Sequence, residues 1–120
     1  MYNRKYRTIN DAAVLNPAFA EGKTQVWYTK DNFVLGTSEI NKFNLSETHV
    51  HIGNIDLDTF VDAPQEDAFR YLQGCRWSPK GEAWDLIKNS GTNHTSMTVG
   101  DILVINDKVY LCKSSGFIII

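Results

Sequence analysis

The sequence predicts an α+β domain: a mainly antiparallel sheet, two helices in the middle of the chain and a C-terminal β-hairpin. Three observations predict it. β-Branched and aromatic runs such as Val26-Trp27-Tyr28 fill the first half. Between Asp62 and Gly91 the apolar residues recur at helical spacing. At the end, two apolar runs flank Asn106-Asp107, a pair of residue types that tolerate positive φ.

Each element follows from local pattern. Tyr2 to Ile9 carries Tyr2, Tyr6 and Ile9 among polar residues and reads as an edge strand. Asn16-Pro17 and Glu21-Gly22-Lys23 are breaks. Gln25 to Tyr28 and Asn32 to Leu35 read as the arms of a hairpin around Thr29-Lys30-Asp31, with Gly36 closing the second arm. Thr48 to Ile55 is a further strand, with Val50 and Ile52 on one side and His49, His51 and Gly53 on the other. Asp62 is the expected N-cap of the first helix, and Pro64 falls in its first turn, where the missing N–H costs nothing. Glu66 and Asp67 favour the positive end of that helix's dipole. Phe69 and Leu72, followed by Cys75 or Arg76, have core-facing spacing. Ser78 caps a second helix with Pro79 at its first position; Ala83, Leu86 and Ile87 form the stripe, Lys88 sits in the last turn and Gly91 stops it. Asp101 to Ile105 and Lys108 to Cys112 make the hairpin. Ile118 to Ile120 read as a final strand or an oligomer contact.

Composition bounds the function. A chain of 120 residues without repeat, linker or low-complexity tract reads as a single domain over 1–120. Three Trp, five Tyr and six Phe need burying, which excludes disorder as the main state. No apolar run approaches the roughly 18 residues of a membrane span. A net charge of −2 disfavours a strongly basic nucleic-acid binder while allowing a local patch. The N-terminal Met1 to Arg7 lacks a signal-peptide apolar core, and the cysteines, Cys75 and Cys112, form no Cys-x-x-Cys pair. The expectation is a cytoplasmic protein with both thiols buried and unbridged.

Several residue groups could carry chemistry, and each has a plainer structural reading. His94-Thr95-Ser96, between a helix stop and a strand, offers hydroxyls and N–H groups to a ligand, or simply turn chemistry. Trp77, Ser78, Lys80 and Gly81 place free helix N–H groups beside a cation, suited to an anion such as phosphate; the plain reading is a capped helix with Trp77 packed as a staple. His49 and His51 share a strand face and would suit zinc if His94 joined them, yet nothing in the spacing fixes that it does, and no metal or cofactor is expected. Cys75 and Cys112, on the core side of a helix and inside a strand, predict inert thiols. Asp56 with Asp58, and Glu66 with Asp67, read as a solvated loop and a helix start, so no enzyme is expected. Arg4, Lys5, Arg7 and Lys23 with Tyr2 and Tyr6 form a basic-aromatic strand. It supports the alternative of a small nucleic-acid-binding domain, although basic edge strands also guard against sheet pairing.

Residues 73 to 117 carry a longer pattern. Gln73-Gly74-Cys75-Arg76-Trp77-Ser78-Pro79-Lys80-Gly81-Glu82-Ala83 precedes Leu86-Ile87, then His94-Thr95-Ser96-Met97-Thr98-Val99-Gly100-Asp101-Ile102 and Gly116-Phe117. This resembles small uncharacterised proteins of bacteriophages and mobile elements, in which a W-S-P-x-G-E-A helix start precedes H-T-S-M-S-V-G-D. The last segment is also similar to the C-terminal part of YodL-like domains. Lys80, Trp84 and Thr98 depart from the Asn, Arg and Ser common in the phage pattern, and Trp84 removes a charge from its helix. The lack of a credible catalytic set beside this polar motif predicts a non-catalytic accessory protein that acts by binding, and the resemblance implies that it manages the host by countering defence. Its partner would be a host protein or a small nucleotide-type ligand held by Trp77, Ser78, Lys80, Gly81, His94, Thr95 and Ser96.

Overall fold

The computed structural model describes residues 24–34, 39–55, 62–77, 80 and 84–120. The expected strand at Tyr2 to Ile9, the basic-aromatic cluster, Gly36, Asp56, Asp58, the Ser78-Pro79 junction, Gly81 and Ala83 lie outside those residues. So do the side chains of Trp77 and Leu86.

Among the described residues the strands are β1 (Thr24–Thr29), β2 (His49–Ile55), β3 (Ile102–Ile105), β4 (Lys108–Lys113) and β5 (Gly116–Ile119). Helical segments are α1 (Pro64–Tyr71), α2 (Gly74–Trp77) and α3 (Trp84–Asn89), with a single 3-10 turn at Leu45–Glu47. The strands form one five-stranded sheet in the order β2-β1-β3-β4-β5, and every neighbouring pair is antiparallel. The fold is α+β and mainly sheet, as the sequence predicts. No helix is long and apolar enough to cross a membrane among the described residues.

The C-terminal hairpin forms where expected. Ile105 pairs with Lys108 across Asn106 (φ 51°) and Asp107 (φ 68°), two residues that take the left-handed region because their short polar side chains tolerate it. Ile118 to Ile120 do continue the sheet: β5 pairs with β4, and the Ile120 N–H reaches the Val109 carbonyl at 3.0 Å.

The hairpin expected around Thr29-Lys30-Asp31 does not form. Asn32, Phe33 and Val34 are not strand. The Phe33 N–H instead closes a turn onto the Lys30 carbonyl, while Lys30 and Asp31 donate to Thr48 and Gly91 carbonyls. With β2 on one side and β3 on the other, β1 is an interior strand and has no edge left for a local partner. A register shift opposite Val26/Trp27 leaves Ile52 of β2 without a direct partner. That bulge turns Ile52 and Ile55, three positions apart, into the same core.

The first helix departs from expectation at both ends. Ala63, not Asp62, occupies the N-cap position, and it makes no side-chain cap bond; Pro64 begins the helix and Glu66 and Asp67 sit in the first turn as expected. The helix ends after Tyr71 because the next groups are claimed by tertiary partners. Leu72 gives its carbonyl to the Met97 N–H, and Gly74 gives its N–H to the Ser96 hydroxyl. The periodicity therefore stops at Leu72, and Cys75 on the separate turn α2 is exposed instead of facing the core.

The helices cover one sheet face. Val26, Tyr28, Ile52, Ile55 and Leu103 pack there against Ala68, Leu72, Ile87 and Met97. The opposite face buries Ile102, Val109 and Leu111 under Leu45 and Ile40. Each fully buried aliphatic side chain stabilises the fold by roughly 1.5–3 kcal/mol.

Candidate functional site

The two halves of the sequence motif meet in space. Gly74 donates its N–H to Ser96 Oγ at 2.7 Å, and the Leu72 carbonyl accepts from the Met97 N–H at 3.1 Å. Gln73 Nε2 bridges the Phe69 and Met97 carbonyls at 2.9 and 3.2 Å. The fit is close, since a Cβ on Gly74 would lie 3.1 Å from Ser96 Oγ. This clasp fixes the loop before β3 onto the end of α1.

The next turn is built around a buried carboxylate. Asp101 is 0% exposed. Its Oδ1 accepts the Thr29 N–H at 2.9 Å, and its Oδ2 accepts the Thr98 N–H at 2.9 Å and faces His94 Nε2 at 2.7 Å. Thr98 to Asp101 is a β-turn closed by the Asp101 N–H on the Thr98 carbonyl, with Gly100 at φ 99° where a side chain would be strained. A buried carboxylate with that many donors is satisfied, and it ties β1 to the start of β3.

His94 stands on this carboxylate and stacks on Tyr28, with ring centroids 4.7 Å apart. Tyr28 is wholly buried and donates its hydroxyl to the Thr95 carbonyl at 2.8 Å. Burial, and then the negative charge of Asp101, hold the Tyr28 phenol well above its ordinary pKa, so it stays a donor. Because the carboxylate only accepts, His94 Nε2 carries the proton, and Nδ1 faces Thr92 Oγ1 and Asn93 Oδ1, each at 3.3 Å. The order carboxylate, imidazole, hydroxyl is that of an acid–base relay. Thr92, however, is 1% exposed, and its hydroxyl is closed to an attacked substrate.

The three imidazoles do not gather. His49 is buried, where the sequence suggested an open strand face. Its Nε2 donates to the Gly100 carbonyl at 2.7 Å, Nδ1 accepts from Thr48 Oγ1 at 2.7 Å, and burial lowers its pKa. His51 lies exposed against Trp27, ring centroids 4.8 Å apart, and meets Asn54 Oδ1 at 2.6 Å. Among the described residues no group of three or more His, Cys, Asp or Glu could hold a metal ion. Cys112 is buried in β4, as expected, and burial together with Asp101 and Glu66 raises its thiol to about 11.

Of the residues singled out in sequence, His94, Thr95 and Ser96 come together with Gly74 at one corner. Lys80 is exposed, and Trp77 closes α2. Ser78 and Gly81 lie outside the described residues. Sequence reasoning missed the roles of Tyr28, Gln73 and Asp101, and it read His49 as a candidate zinc ligand rather than as a buried support of the turn. The available signal was Asp101 itself, an acid at the mouth of an apolar strand, which reads locally as a turn residue. No protein-family model, curated protein or solved structure matches the chain.

Proposed function

We propose that this chain is a non-catalytic accessory protein of a phage or mobile element that counters host defence by binding. Its ligand is a nucleotide-type signal or a host protein, met at the corner formed by Gly74 and His94 to Ser96, with Lys80 supplying the cation. One observation supports the reading: the clasp between Gly74 and Ser96 holds that polar corner rigid. Rigidity lowers the ordering cost of association. The hydroxyl beside His94, on Thr92, is buried, which supports a role in binding over acid–base catalysis. Lys80, an exposed cation within the first half of the motif, suits phosphate.

Calorimetry with ATP, ADP and a cyclic dinucleotide tests the nucleotide form. Lys80→Ala is expected to weaken the bound nucleotide by roughly tenfold or more, one lost charge-assisted contact, with the unfolding temperature unchanged. If none of the nucleotides binds the wild type, the nucleotide form is wrong. If Lys80→Ala also leaves any host-protein complex intact, the corner is not the binding site.

A further inference from the structure

Among the described residues β5 is the edge of the sheet, and it carries none of the usual protection. Its sequence, Gly116-Phe117-Ile118-Ile119, holds no charge and no proline. Ile118 is 47% and Ile119 56% exposed. The strand is apolar on both faces: Phe117 packs edge-on to Phe69 on the helix side, and Ile120 joins the core on the other.

The hydrogen-bond register fixes what the edge offers. Ile120 spends its N–H on Val109, and alternation along an antiparallel pair then turns the Ile118 groups toward β4. The N–H and C=O groups of Phe117 and Ile119 therefore point outward. A second β5 running antiparallel, with Ile118 opposite its own copy, sets Phe117 against Ile119 on each side. Every outward group then finds a partner. The strand is self-complementary.

The surface beside it carries an exposed aromatic side chain. Cavities of about 370 and 360 Å³ share Lys42, Phe43, Asp107 and Val109 in their walls, and the smaller also reaches Ile119 and Ile120. Phe43 is 88% exposed at their rim, held out by a turn in which Asn41 Oδ1 accepts its N–H.

We infer that two copies of this chain dimerise through β5, with the two-fold axis at Ile118, joining their sheets into one. The inference is independent of the ligand corner and goes beyond it. Sedimentation velocity at about 50 μM is expected to give a dimer for the wild type. Ile118→Lys, which sets like charges face to face, is expected to give a monomer with an unchanged unfolding temperature. In a Cys75→Ser background, Ile118→Cys should cross-link under oxidised glutathione, because that pair's Cα atoms would lie about 4.5 Å apart. Lys113→Cys, on β4, should not. A monomeric wild type, a dimer that survives Ile118→Lys, or equal cross-linking at both positions would overturn the inference.

Discussion

His49 is a histidine with a fixed tautomer. The Gly100 carbonyl accepts from Nε2, so Nδ1 is left to accept from Thr48, and a second proton would place a charge inside a desolvated site. Burial accordingly lowers its pKa from the ordinary 6.5. The sign of the pH effect follows. With the folded pKa below the unfolded one, the unfolded chain takes up the proton first. The stability that neutral His49 supplies is full above pH 6.5 and is lost as the pH falls from there through the folded pKa. In urea titrations at about pH 7.5 and 5.5, His49→Gln is expected to show a smaller drop in midpoint than the wild type. An equal drop in both proteins would mean that His49 does not report on acid.

The clasp belongs to two elements at once. Ser96 supplies the acceptor that lets α1 end and α2 begin, so Ser96→Ala leaves the Gly74 N–H without it. A loss of about 1–2 kcal/mol is expected in urea unfolding, the cost of an unmet, half-buried donor. Ser96→Thr, which keeps the hydroxyl, at equal cost would point to packing rather than to the hydroxyl. The elements that sequence reveals here are those whose causes are local. The β3–β4 hairpin was legible because Asn106 and Asp107 hold the turn within themselves. The start of α1 was legible in Pro64, Glu66 and Asp67, although the cap assigned to Asp62 falls one residue later. Where the cause lies far along the chain, pattern fails. Helical spacing carries on through Cys75, but distant partners of Leu72 and Gly74 stop the helix first. Gln25 to Tyr28 was legible as strand, yet its neighbours lie across loops, and period-two alternation in β2 does not foresee a bulge that aims both Ile52 and Ile55 inward. The corner was half legible. His94 and Ser96 stood out as polar residues in a motif, whereas Asp101 and Tyr28 needed the sheet to bring them beneath.

At the scale of the molecule, the sheet is built across the sequence. β1 receives β2 from the early part of the chain and β3 from the late part, and the Asp101 carboxylate fastens the second junction to Thr29. The motif residues therefore serve as joinery between distant segments, which accounts for their tolerance of so few free groups. A central strand with a partner from each portion makes the halves interdependent. Divided into peptides 1–90 and 91–120, the chain loses the β1–β3 ladder that joins the two parts of the sheet, so each piece alone is expected to lack a cooperative melting transition. Mixed, they should reassemble and regain it, and cooperative melting of the longer peptide by itself would refute that. The chain would then act as a natural two-part reporter, dark when divided and restored only where both fragments meet.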